Sequence, residues 1–222
     1  MNKRHTLLFI LFSICCSFTV NAQIYVGARA GLNISNLITD ADVSSKKSKV
    51  GFQAGLLGSG KLKNDLFWQA ELNYSKKGFK GSDAKANLAY LELPILAKLY
   101  FPLPTLDKEK IKGFINLGPY LGYWMSNKST YTDSLGGSVN TTAFAPGSKK
   151  FEIGYLLGAG VSYSIGPGYL LGELRYQFAL SNTTKESDYS RNRVFSINAS
   201  YIIPLGSLKK KPAETDNMKK VE

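Results

Sequence analysis

Six charged residues fall inside otherwise apolar, alternating stretches of the chain: Arg29, Glu71, Glu92, Lys98, Glu173 and Arg175. Carboxylates set close together can exchange a proton as general acid and base. Set beside arginine and lysine, they can instead neutralise one another, which is how charge is tolerated away from water. The inventory of other reactive groups decides between these chemistries. The single histidine, His5, and both cysteines, Cys15 and Cys16, lie within the first 22 residues. That leader has a basic start at Lys3 and Arg4, an apolar run from Leu7 to Cys16, and Val20 and Ala22 spaced like a cleavage site, the pattern of a secretory signal peptide. Once it is removed, no thiolate or imidazole metal site, Ser-His-Asp triad or Cys-His pair can be assembled. No enzymatic activity, catalytic residue, metal or cofactor is therefore expected. The six charges, three of each sign, are expected to form an internal salt-bridged plug; a path for a ligand or a proton between them is the alternative.

The elements that would hold these charges alternate with a period of two. Eight blocks of about ten residues, separated by turn-rich segments, carry one apolar and one polar face, the signature of barrel strands. The third block is the clearest: Leu66, Trp68, Ala70, Leu72 and Tyr74 oppose Phe67, Gln69, Glu71, Asn73 and Ser75. The others start near Ile24, Val50, Tyr90, Phe114, Glu152, Leu170 and Phe195. No stretch after the leader is long and apolar enough for a spanning helix, so entry into a membrane requires a closed barrel. The expected fold is all-β, an eight-stranded antiparallel up-and-down transmembrane β-barrel over residues 23–206. A charged tail, residues 207–222, follows and is expected to be disordered and periplasmic.

Which face points inward follows from volume. The apolar set is too rich in Leu, Ile, Trp and Tyr for a narrow eight-stranded interior, whereas Gly, Asn, Gln and Ser would fit. The apolar face is therefore expected to meet lipid, with Trp68, Tyr74, Tyr123, Tyr163, Tyr176 and Tyr201 as interfacial aromatics. A soluble, lipocalin-like binding barrel is the opposite arrangement. Long connections are expected at Ser35 to Lys49, Lys76 to Asn87, Ser126 to Phe151 and Ser181 to Arg193, alternating with short turns such as Gly166-Pro167-Gly168. Outer-membrane barrels carry long loops outside and short turns in the periplasm, which would leave both termini periplasmic.

Two further features bear on partners. Without Lys3 and Arg4, 26 of the 28 basic residues remain against 16 acidic ones, a formal charge of +10. A basic secreted chain is expected to meet outer-membrane lipid and lipopolysaccharide phosphate rather than nucleic acid. Lysines collect in the expected outer loops at Lys46, Lys47, Lys49, Lys76, Lys77, Lys80, Lys85, Lys149 and Lys150. The segment Gly55 to Leu62, "GLLGSGKL", approaches a phosphate loop but places Leu62 where the metal-binding hydroxyl belongs, and it leads to a strand rather than a helix.

The ordered set "WQAELNYSKKGF", "YLELPILAKLYF", "NLGPYLGY", "GYLLGAGVSYSI" and "GELRYQFAL" resembles the PorT-like family of outer-membrane β-barrel proteins of Bacteroidetes. The resemblance spans Gln23 to Gly206 and implies an eight-stranded barrel in the outer membrane of a Gram-negative cell. For some members it implies an accessory role in protein export by the type IX secretion system. A monomer is expected. Within "YLELPILAKLYF", Glu92 and Lys98 are expected to pair with Arg29, Arg175, Glu71 or Glu173. Pro94 lacks the amide for one ladder bond, so a bulge or broken pairing is expected beside it.

Overall fold

In the computed structural model, residues 23–39, 47–80, 84–104, 110–132, 138–141, 150–182 and 190–206 are described. The proposed signal peptide and charged tail lie outside them. Among the described residues nine strands form: β1 (Ile24–Thr39), β2 (Lys47–Lys63), β3 (Leu66–Lys80), β4 (Ala84–Pro102), β5 (Ile111–Thr132), β6 (Ser138–Thr141), β7 (Phe151–Ile165), β8 (Gly168–Ala179) and β9 (Ser190–Pro204). Eight of them close a ring in the order β1, β2, β3, β4, β5, β7, β8, β9, every pair antiparallel, with β9 returning to β1. The short β6 pairs only with the far end of β5. Closure leaves no unpaired edge, the condition for placing strands in hydrocarbon.

Strands are longer than the ten-residue blocks of the sequence. Segments expected to be loops, Ser35 to Thr39, Lys76 to Lys80 and Ser126 to Thr132, continue the wall. Outside hydrocarbon neither face of a strand needs to be apolar, so the two-residue hydrophobic rhythm fades while backbone pairing continues. At the other end, β2 joins β3 through Asn64-Asp65, and β7 joins β8 through Gly166-Pro167. Asn64 (φ 47°) and Gly166 (φ 57°) take the left-handed backbone these two-residue turns require. Ile24 and Pro204 lie at this same short-turn end.

The faces are those the volume argument requires. Leu32, Val50, Leu56, Ile95, Leu117, Ile153 and Ile197 are exposed on the outside, Leu56 with 66% of its surface. Arg29, Gln69, Glu71, Glu92, Lys98, Asn116, Glu173 and Arg175 are buried inside. A soluble barrel would have these two sets exchanged, which overturns the lipocalin-like alternative. Tyr74, Tyr123, Tyr163, Tyr176 and Tyr201 are on the exterior and Trp68 is half-buried there, packed over Gly60 of β2. The phosphate-loop look-alike is simply strand β2, with Gly55, Leu57 and Ser59 turned inward.

The ladder to β3 is interrupted at Pro94, whereas Pro94 still pairs with Tyr120 of β5 and that ladder is interrupted just beyond it, opposite Gly118 and Pro119. Against β3, pairing stops at Ala70–Ile95 and resumes at Asn73–Glu92; against β5, it skips from Pro94–Tyr120 to Ala97–Leu117. The register is unchanged across both gaps. The bulge of β4 lies elsewhere, between Ala89 and Tyr90.

Candidate functional site: the charged lumen

Along β5 the inward residues Phe114, Asn116, Tyr120 and Trp124 mark successive levels of the interior. At the short-turn end Phe114 joins Tyr25, Leu57, Leu171 and Ile202 in an apolar layer. Leu96, Tyr120 and Leu156 form a second such layer, and Leu88, Tyr90 and Trp124 a third toward the long-loop end. The charges occupy the levels between.

The central level is a four-membered ring of ion pairs. Arg29 on β1 donates from Nη1 to Glu71 Oε2 of β3 at 2.6 Å and lies 3.5 Å from Glu173 Oε2 of β8. Arg175 on β8 reaches across the lumen to Glu71 Oε1 at 2.8 Å and holds its near neighbour Glu173 Oε1 at 2.7 Å through Nε. The carboxamides of Gln69 and Asn73 add donors to Glu71, and Asn116 donates to Glu173 at 3.1 Å. Two arginines and two glutamates thus cancel, and their lone pairs are largely filled. Gly158 on β7 leaves room for these side chains. A Cβ there would meet Asn116 Oδ1 and Glu173 Oε1, both at 2.5 Å.

A second level was not anticipated. Lys77 Nζ contacts Glu92 Oε1 at 2.5 Å and Glu152 Oε1 at 2.9 Å, and its ammonium lies 4.8 Å from the Tyr90 ring centre. Gln177 donates to Glu92 at 2.9 Å, Tyr120 to Glu152 at 2.9 Å, and Asn192 also donates to Glu152. The sequence pattern assigns Lys77 to an outer loop, and the structure corrects this. Continuing the odd-numbered inward series of β3 from Ser75 puts it in the lumen, and that extrapolation would have found it. Glu152 stands in the inward set of its own strand.

The six expected charges therefore do not form one cluster. Arg29, Glu71, Glu173 and Arg175 come together. Glu92 pairs with Lys77, because it sits opposite Asn73 toward the long-loop end, a level removed from the arginines. Lys98, opposite Phe67 near the short turns, forms no ion pair among the described residues. Its ammonium rests 4.3 Å from the Phe114 ring centre and 5.8 Å from that of Tyr100. With Lys77 and Glu152 included, four buried bases and four buried acids balance in the lumen among the described residues. The balance is uneven along the axis: neutral at the quartet, one negative charge in excess at the Lys77 level, and one positive charge at Lys98.

Among the described residues no group of His, Cys, Asp and Glu is arranged to hold a metal ion, and no helix is long and apolar enough to cross a membrane. No curated protein matches the chain. Solved structures with a similar fold include neisserial surface protein A, at 19% identity, covering 82% of this chain and 98% of that one, with a TM-score of 0.48. OprG from Pseudomonas aeruginosa gives 14%, 82%, 95% and 0.45 for the same four quantities, and the outer membrane enzyme PagL gives 16%, 82%, 99% and 0.43. Residues 19–185 match the outer membrane protein beta-barrel domain family, and this chain, a closed eight-stranded barrel with an apolar exterior, belongs to it as an integral outer-membrane protein.

Proposed function

We propose that this barrel is a sealed, non-enzymatic structural or accessory component of the outer membrane, of the PorT-like kind found in Bacteroidetes, and that it assists protein secretion. The observation that carries the reading is the filled lumen. Three apolar layers and two levels of paired charge occupy the interior, and both carboxylates of the central quartet are held by arginine. Carboxylates already engaged by arginine are not free to take part in chemistry, and a lumen packed with side chains is a poor conduit. With its lumen filled, this barrel acts through its surfaces in the role proposed. A monomer with both termini in the periplasm suits this role, since the chain ends then face the compartment from which cargo arrives.

Two measurements test the proposal. Purified barrel in planar bilayers is expected to give no steady conductance, and affinity capture from native outer membranes is expected to bring secretion components with it. A large, stable conductance or reproducible lipid or peptide turnover abolished by Glu71→Gln would overturn it. The outer-leaflet partner proposed is lipopolysaccharide phosphate, met by the lysines of the long-loop end, such as Lys76, which is exposed beside Phe52. Co-purifying lipopolysaccharide is expected to fall away as salt is raised.

A further inference from the structure

The short-turn end of the barrel is not flush. A cavity of about 260 Å³ opens there, lined by residues from all eight wall strands. Its inner wall is aromatic. Tyr169, Tyr25, Phe67 and Tyr100 form a chain of edge-to-face and tilted contacts, with successive ring centres 5.8, 6.2 and 5.2 Å apart. Tyr25 is 8% exposed and the other three are half-buried. Beneath them, the completely buried Phe114 closes the floor, 5.7 Å from Tyr100. Packing side chains of this size at a mouth that could have been plugged by Leu or Val leaves flat, partly uncovered rings around a void.

The rim is basic. Among the described residues, Lys61 and Lys112 line it and are exposed, with Lys110 beside them, and Asp65 is the one acid that lines it. Below the floor, Lys98 is the lumen cation that forms no ion pair among the described residues. The excess carboxylate of the Lys77 level lies at the far end of the barrel, beyond the neutral quartet. Among the described residues, basic side chains thus outnumber acidic ones both above and below the aromatic wall. Aromatic cages without such a rim take quaternary ammonium groups, but exposed lysines such as Lys61 and Lys112 repel a cation. The chemistry that satisfies both wall and rim is an anion attached to a flat apolar body.

We propose that the short-turn mouth is a binding site for a small amphipathic organic anion, a carboxylate, sulfonate or phosphate carried on one or two rings. The volume sits just under the roughly 300 Å³ at which ordinary small-molecule pockets begin, so a body larger than two fused rings does not fit. Neither the central quartet nor the outer loops take part. The site stands independently of a role in secretion, and capture of secretion partners leaves it untouched either way.

The test uses the full mature barrel in zwitterionic lipid nanodiscs, with empty nanodiscs as reference, and two probes of equal ring size, naphthalene-1-sulfonate and neutral 1-naphthylmethanol. Calorimetric titration is expected to give saturable sulfonate binding with a Kd below about 1 mM. The neutral probe is expected to bind at least about tenfold more weakly, and K61Q/K112Q is expected to lose about tenfold in sulfonate affinity. Both substituted lysines are exposed, so the barrel still folds, which heat-modifiable gel mobility verifies. K76Q at the opposite end is expected to leave the affinity unchanged. Equal binding of both probes, unchanged affinity in K61Q/K112Q, or no saturable binding up to about 1 mM would each overturn the proposal.

Discussion

At the level of single residues, the lumen separates charges that are needed from one that is not. Removing Glu71 leaves Arg29 and Arg175 facing each other with only Glu173 between them. Glu71→Ala is expected to lower stability by about 3–5 kcal/mol, the cost of stranding a buried charge. Lys98→Met removes a buried ammonium that forms no ion pair among the described residues and keeps an unbranched apolar stem against Phe114. It is expected to change stability by less than about 1 kcal/mol or to raise it. Urea midpoints for refolding into lipid vesicles would distinguish the two. Four of the six charges grouped by sequence do meet, because alternation alone fixes the face of a strand. Alternation does not fix height, and that is why Glu92 and Lys98 were matched to the wrong partners: strands 71 and 92 belong to are neighbours, but which inward residues share a level depends on register. Register lives in the pairing of distant segments and has no local signature.

Individual strands show what the hydrophobic rhythm can and cannot reveal. It located all eight wall strands, since each must show apolar groups to lipid and small or polar ones to the lumen. It missed their outer extensions and β6, where no lipid imposes the pattern. Pro94 was legible because its chemistry is local: a missing amide breaks a ladder whatever the fold. The interruption it causes is expected to be dynamic as well as geometric. In hydrogen-exchange mass spectrometry or NMR, the amides of Leu72 and Leu93, beside the gap, are expected to exchange faster than those of Ala70 and Leu91, which remain in register. Uniform protection along β3 and β4 would show that the gap is bridged.

For the molecule as a whole, the start of β1, the end of β9 and the two-residue turns share one rim, and the strand extensions share the other. The proposed orientation makes the first rim periplasmic. Because the chain beyond residue 22 contains no cysteine, single replacements report its sidedness cleanly. N64C, in the β2–β3 turn, is expected to resist a membrane-impermeant maleimide on intact cells and to react after the outer membrane is opened. K76C, on the extended part of β3, is expected to react in both. The reverse pattern would invert the barrel.

The central quartet also carries a consequence for the order in which the barrel assembles. Its ties join residues 42, 104 and 144 positions apart and link β1, β3 and β8 across the interior rather than along the wall. Such contacts cannot form until the sheet has curled far enough to bring opposite walls together, so they belong to the end of the folding reaction. Substitutions in the quartet are therefore expected to speed unfolding while leaving the folding rate nearly unchanged, as measured from the two limbs of a urea chevron in vesicles. The plug that closes the passage is, in kinetic terms, the latch that keeps the finished barrel from opening.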